Sequence, residues 1–498
     1  MEHPPTRPEP GPSPVELLER LEWTRPWERH AVRPGLPNAD VAALAAARER
    51  LSGFAAELDT RERLALQTLV DLATGDAPFR QLAAEPPEAV LTERERDYLQ
   101  RLEAEPVPAP GLRPAVTVIM KGTRLCNLRC TYCNYWREGP NQVMRFPVLA
   151  RAIRDVLTSP RTVNVEFVWH GGEPTLLPIA FYRKALWLQQ RFRRPGQVVK
   201  NRVQTNATRL SDDWIEFWQR YRFVVGVSLD GPPEVHDRRR VDRHGRPTAA
   251  QVRAGLARLQ AAELDPRLYI VIDDAVMEAG PARVLEYLLE VGAQRVGLLN
   301  AVPAYTAPDA PLAGTYLPWP RYLAFLAELF RLWWPRYVDR IIFRELADLA
   351  GQLAGRPPLM CNFAGDCYGS VFTIEPTGEI SACDRHLDDP DYLFGNLLHT
   401  RLGDVETSPR MAAIRVANGV AVERSRACPW FAVCHGGCPH DRRLGLRHVP
   451  GFPADCCGLA PLLADMAEVL RATGVTPAQE QPRQAPPRAD ADARQKEV

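Results

Sequence analysis

Six short apolar runs, spread between residues 115 and 300, constrain the fold of this chain more than any other feature. They are AVTVIM (115–120), VNVEFVW (163–169), VVKNRVQT (198–205), FVVGVSL (223–229), LYIVID (268–273) and RVGLLN (295–300). Helix-period patterns near 146–158, 178–193, 211–220, 248–262 and 281–291 separate them. Strands that are apolar almost throughout, each returned by a helix, build a parallel sheet buried on both faces. The pattern predicts an α/β fold whose sheet forms part or all of a βα barrel, with its chemistry at the C-terminal strand ends. The polar motifs follow that rule: a cysteine loop, HGGEP, TNATR and SLDGP each sit just past an apolar run.

The flanks read differently. Residues 1–14 are proline-rich and 471–498 are poor in apolar residues, so both are expected to be disordered tails. Residues 15–110 show helical patterns and no strand signal, as expected of a small helical domain. Asp59 to Glu62 and Thr92 to Glu95 each have the spacing of a capping box, and PVPAPGLRP (106–114) reads as a linker. Residues 115–310 make the core, 311–354 one or two bridging helices, and 355–470 a cysteine-bearing region with few long periodic segments.

With 62 basic and 61 acidic residues the net charge is +1, which speaks against nucleic-acid or membrane binding through bulk charge. There is no run of eighteen apolar residues and no apolar export segment, so the expected location is cytoplasmic. Nearly all the cations are arginine; Lys121, Lys184, Lys200 and Lys496 are the four lysines.

In a reducing compartment eleven cysteines are expected to bind metal or do chemistry rather than form disulfides. None lies before Cys126 or between Cys133 and Cys361; eight fall within 361–457. The first three occupy RLCNLRCTYCNYW (124–136), at Cys126, Cys130 and Cys133. A structural zinc site closes with four protein ligands, whereas three thiolates leave one position open, on zinc or on one iron of an iron–sulfur cluster.

A CxxxCxxC loop directly after the first strand of a βα barrel resembles the radical S-adenosylmethionine (SAM) superfamily, whose core is a partial (β/α)6 TIM-like barrel. The resemblance implies a catalytic [4Fe–4S] cluster on Cys126, Cys130 and Cys133, with the open iron taking the amino and carboxylate groups of SAM. Reductive cleavage of SAM would then give a 5′-deoxyadenosyl radical. Gly171, Gly172, Glu173 and Pro174 stand where the family has its GGEP motif, which is expected to meet the SAM amino group. Ser228 and Arg240 are expected to hold the SAM carboxylate, with Asp230 beside them in VSLDGP. Thr205 and Asn206 would approach the ribose, and Tyr132 the adenine. Taken singly, each polar residue reads equally well as a strand-end cap or a turn. His170, before GGEP, reads as a base or a structural histidine.

The later cysteines resemble the SPASM extension, which carries auxiliary [4Fe–4S] clusters. The resemblance implies a first cluster on Cys361, Cys367, Cys383 and Cys438, and a second on Cys428, Cys434 and Cys456. Zinc on the spaced pairs is the other reading. The second set departs from the family, because Ser425 occupies the place of its first cysteine. Ser425 or Cys457 could substitute, one iron could stay open, or the cluster could be missing; Cys457 otherwise reads as a spare buried cysteine. The cofactors implied are therefore SAM, one catalytic cluster and one or two auxiliary clusters. Asp384 directly follows Cys383. At the matching position of anaerobic sulfatase-maturating enzymes an aspartate is the proposed general base; the alternative is a loop aspartate bonding backbone amides.

The resemblance thus implies an oxidoreductase that modifies a side chain of a peptide or protein substrate, served by a flavodoxin- or ferredoxin-type reductant. Cross-link formation in a ribosomally made precursor peptide is the favoured expectation, with the N-terminal helices recognising a leader peptide. The alternative is sulfatase maturation, oxidising a Cys or Ser to formylglycine. WHGGEP, QTNAT, VSLDGP and CHGGCPHDR fit both. A non-catalytic iron–sulfur carrier would need neither GGEP nor the Ser228/Arg240 pair.

Overall fold

The computed structural model describes residues 77–106, 111–194, 197–305, 314–386, 388–475 and 477. The Asp59–Glu62 capping box, the N-terminal tail and most of the C-terminal tail lie outside them, and the 106–114 linker is described only at its ends.

Among the described residues three helices come first: α1 (Ala77–Ala83), α2 (Pro87–Val90) and α3 (Glu93–Ala104). Thr92 caps α3 in the predicted box: its hydroxyl accepts from the Glu95 amide, and the Glu95 carboxylate accepts from the Thr92 amide at 2.8 Å. Strands and helices then alternate as β1 (Ala115–Thr123), α4 (Phe146–Leu157), β2 (Asn164–Gly171), α5 (Ile179–Phe192), β3 (Val198–Thr205) and α6 (Asp212–Arg220). They continue as β4 (Val224–Ser228), α7 (Pro233–Arg239), α8 (Ala249–Ala261), β5 (Arg267–Ile272), α9 (Asp274–Glu290) and β6 (Arg295–Asn300). Strands β1 to β6 pair in chain order, all parallel, as βα units require. The first three helices lie over α4 and α5, where Lys184 pairs with Glu95 at 2.6 Å and Arg151 with Glu105 at 2.7 Å.

Two elements exceed the sequence expectation. β1 runs past its apolar run to Thr123 and carries Lys121 inward, fully buried. α9 begins at Asp274 rather than 281, because the Asp273 carboxylate caps the amides of Ala275 and Val276. Gly280, with φ of 78°, and Pro281 bend the helix where the sequence suggests a start.

Alternate strand residues face opposite ways. Val118, Phe167, Val203, Val227, Ile270 and Leu298 are buried on the helix side. Ile119, Val168, Gln204, Ser228, Tyr269 and Leu299, one from each strand in turn, line a single cavity of about 1330 Å³. Six neighbouring strands can share one cavity only if the sheet curls round it, so the core is a partial barrel.

Beyond it come α10 (Trp319–Trp333), β7 (Ile342–Phe343) and α11 (Arg344–Leu353). The cysteine-bearing region holds β8 (Val371–Ile374), β9 (Glu379–Ser381), β10 (Leu393–Asn396), α12 (Leu402–Glu406) and α13 (Pro409–Arg424). It ends with α14 (Phe431–Cys434), α15 (Pro439–His448) and α16 (Ala460–Ala472). β8 pairs parallel with β1, on the side away from β2. The strand order becomes β10-β9-β8-β1-β2-β3-β4-β5-β6-β7, so this region prolongs the barrel sheet.

Candidate active site

The cysteine loop leaves the end of β1 and is held by backbone on two sides. Gly172 donates to the Thr123 carbonyl at 2.7 Å and Glu173 to that of Leu125 at 2.8 Å. Arg129 donates to Val241 at 2.7 Å and Thr131 to Arg239 at 2.9 Å. A Cβ on Gly172 would fall 1.9 Å from the Leu125 oxygen, so only glycine allows this approach.

Cys126, Cys130 and Cys133 all line the cavity. The amides of Leu128 and Tyr135 point at the sulfurs of Cys126 and Cys133, each at 3.4 Å. Burial pushes the Cys126 thiol up to about 12, helped by Glu173, and the Cys130 thiol up to about 11 despite Arg240. Thiols so hard to ionise need a cation to become ligands, and a bound metal supplies it. Three thiols opening on a large cavity fit a cluster with one free iron.

Glu173 is buried, and its carboxylate is largely engaged. Its Oε1 accepts from the Thr175 amide at 3.0 Å and the Thr205 hydroxyl at 2.8 Å, and Oε2 from the Asn206 amide at 2.8 Å. It ties the loop after β2 to the loop after β3. The Asn206 amide group reaches Asn127 at 2.9 Å and the Cys126 sulfur at 3.9 Å. Pro174 is buried against Tyr182, whose hydroxyl donates to its carbonyl at 3.0 Å.

Asp230 gathers the next group. Its carboxylate accepts from the Tyr132 hydroxyl, from Arg240 Nε at 2.8 Å and from the Val271 amide at 3.0 Å. Arg240 also points Nη1 at the Cys130 sulfur, 3.8 Å away. Burial opposes the Arg240 charge, but Asp230, Tyr132 and Cys130 outweigh it and raise its pKa. Ser228 accepts from Gln204 Nε2 at 2.9 Å. Asp230 and Pro174 lie beneath the cavity wall, whereas Tyr132, Gly171, Gly172, Thr205, Ser228 and Arg240 form it.

A third group lies at the ends of β1 and β2, beside the cysteine loop. Asp384 pairs with the ammonium of Lys121, which also lies 2.8 Å from His170 Nδ1 and 4.1 Å from the centre of the Tyr135 ring. An ammonium only donates, so His170 Nδ1 is an acceptor and its proton sits on Nε2. Burial and Lys121 press the His170 pKa down to about 3, leaving it neutral. Burial alone would raise the Asp384 pKa, but Lys121, His170 and Arg124 outweigh it and hold it below the ordinary value.

The remaining thiols form two sets. Cys361, Cys367, Cys383 and Cys438 are electrostatic neighbours; of these, Cys361 and Cys383 reach the cavity. Cys428, Cys434 and Cys456 stand apart from it, and Cys457 joins them, within hydrogen-bonding reach of Cys434 and Cys456. Lys121 and Tyr135 escaped the sequence reading, because their partner Asp384 lies some 250 positions away along the chain. Cys457 had only its adjacency to Cys456 to mark it.

Comparison with known proteins accords with this geometry. The model of the Radical SAM superfamily matches residues 120–275, and that of the SPASM iron–sulfur cluster-binding domain matches residues 366–439. The chain belongs to the radical SAM superfamily, in the branch that carries a SPASM domain, and is an oxidoreductase-type enzyme. That membership brings SAM, a [4Fe–4S] cluster and an iron–sulfur-binding C-terminal domain. The serine-type anaerobic sulfatase-maturating enzyme of Klebsiella aerogenes is 30% identical over 323 residues, 63% of this chain and 77% of that enzyme. Its counterpart in Bacteroides thetaiotaomicron is 27% identical over 354 residues, 67% and 84% of the two chains. The solved structure of anSMEcpe with bound AdoMet and Cp18Cys peptide shares the fold, with TM-score 0.63 and 24% identity over 72% of this chain and 99% of that one. No helix among the described residues is long and apolar enough to cross a membrane.

Proposed function

We propose that this enzyme oxidises the side chain of a cysteine or serine in a peptide or protein, with Asp384 as the base. Cys126, Cys130 and Cys133 hold the catalytic cluster, and Cys361, Cys367, Cys383 and Cys438 hold an auxiliary one. The backbone of Gly171 to Glu173 and the Ser228/Arg240 pair take the amino and carboxylate ends of SAM, with Tyr132, Thr205 and Asn206 along the nucleoside. When bound, SAM and the clusters supply a hydrogen-abstracting radical and an electron acceptor. Glu173 spends its carboxylate ordering two loops, and Asp230 orients Arg240 and Tyr132.

One observation carries this reading. Asp384 lies on the cavity wall next to Cys383, and it also lines a smaller pocket with Cys133 and Tyr135. A carboxylate there, held by Lys121, can accept the proton of a substrate thiol or hydroxyl. Loss of one hydrogen atom, that proton and one electron converts –CH2SH to –CH=S, and water then gives the aldehyde with release of hydrogen sulfide. Serine gives the aldehyde directly. The relatives support the reading, being named as serine-type and cysteine-type maturating enzymes.

The test is Asp384→Asn with a cysteine- or serine-containing peptide. SAM cleavage continues while aldehyde, read with a hydrazide probe, falls by about 100-fold or more. Unchanged aldehyde would remove Asp384 from the mechanism. Cross-linking of a precursor peptide is the second reading, favoured by the long N-terminal stretch that precedes both family-model matches. Its product would lack two hydrogens, carry no aldehyde and resist fragmentation between two residues.

A further inference from the structure

We infer that Cys457 is the fourth ligand of the second auxiliary cluster, replacing the residue at position 425. This rests on the iron–sulfur reading of the SPASM domain and not on the choice of substrate.

Ser425 is unsuited to the task. It closes α13, is 1% exposed, and donates its hydroxyl to the Ala421 carbonyl at 3.1 Å. That bond is an ordinary return to the preceding helical turn. A serine hydroxyl is also a far weaker ligand for iron than a thiolate.

Cys457 meets three conditions that a spare core cysteine need not meet. Its thiol lies within hydrogen-bonding reach of those of Cys434 and Cys456, and Cys456 in turn reaches Cys428, so the four sulfurs form one connected group. The backbone opposite has been cut back to admit it: a Cβ on Gly437 would fall 2.7 Å from the Cys457 Cβ and 3.3 Å from its sulfur. Gly437 has φ of 67° and follows Gly436 with φ of 88°, so the turn bends away from the sulfurs without a side chain. Finally, each of the four sulfurs faces an amide two residues ahead. Trp430 serves Cys428, Gly436 serves Cys434, Gly458 serves Cys456 at 3.3 Å, and Leu459 serves Cys457. The same spacing occurs at Cys126 and Cys133 in the catalytic loop. Such N–H donors orient thiolates and spread the negative charge of a cluster, and Cys457 has one as the other three do.

With Cys457 the second cluster is closed by four thiolates and has no iron left for substrate. The test is iron and sulfide content with EPR of the reduced full-length protein, for the wild type and for Ser425→Ala, Cys457→Ser and Cys457→Ala. The wild type should hold about twelve irons per chain, and Ser425→Ala should match it in content and spectrum. Either Cys457 variant should fall to about eight irons, or give a three-iron signal after mild oxidation. Full iron and an unchanged spectrum in both Cys457 variants would overturn the assignment, as would iron loss in Ser425→Ala. A wild type holding about eight irons would overturn it by removing the second cluster itself. Should the variants prove insoluble, the wild type decides the matter. With SAM saturating the catalytic iron, added small thiols leave the remaining EPR signals unmoved if the ligand set is closed, and shift one of them if it is open.

Discussion

Lys121 shows how a single residue acquires its meaning from a distant one. Among the described residues it is the fully buried lysine, set into a chain whose cations are nearly all arginine. A guanidinium needs several partners in a plane, whereas an ammonium is compact and can meet Asp384, His170 and the Tyr135 face together. Lys121→Met should cut aldehyde formation by about tenfold or more while SAM cleavage persists, and Lys121→Arg should not rescue it. Full activity in either variant would make the pair merely structural. At Gly172 the expected effect lies elsewhere. Ala there drives a methyl into the Leu125 carbonyl, so catalytic-loop iron should be lost, by about four atoms per chain, while auxiliary iron remains. The motif residues of this site were legible because their spacing is local. Lys121 was not, since an isolated lysine after VTVIM reads as the strand's exit to solvent.

At the scale of elements, α7 is fastened by a neutral histidine. His236 Nδ1 accepts from the Asp230 amide at 3.2 Å, and Nε2 faces the Thr248 hydroxyl at 3.2 Å, which donates to the Arg240 carbonyl at 2.6 Å. Burial lowers its pKa from 6.5 to about 4, with Asp230 opposing and Arg240 assisting. A depressed folded pKa gives stability that is complete above 6.5 and is lost as pH falls toward 4. His236→Gln should therefore flatten the fall in melting temperature between neutral and mildly acid pH. An equally steep fall would assign the acid sensitivity to other groups. The βα elements were legible because long apolar strands and amphipathic helices repeat. Strands β8 to β10 were not: they are three or four residues long, below the length at which alternation can be read.

Across the whole molecule, the seam between β1 and β8 makes the C-terminal region part of the barrel rather than an appendage. Their register runs from Thr117↔Val371 to Met120↔Ile374, and Asp155 accepts from the Leu402 amide at 2.9 Å across the same junction. Ending the chain at residue 355 would bare the long apolar edge of β1, and the product is expected in the insoluble fraction. A soluble, monomeric truncation with native circular dichroism would show that the barrel stands alone. The barrel was foreseeable from pattern, but the seam joins segments some 250 residues apart and left no local trace.

That seam also fixes distances. The barrel and the C-terminal region cannot part without breaking the β1–β8 ladder, so the cavity that both of them line keeps its walls in register.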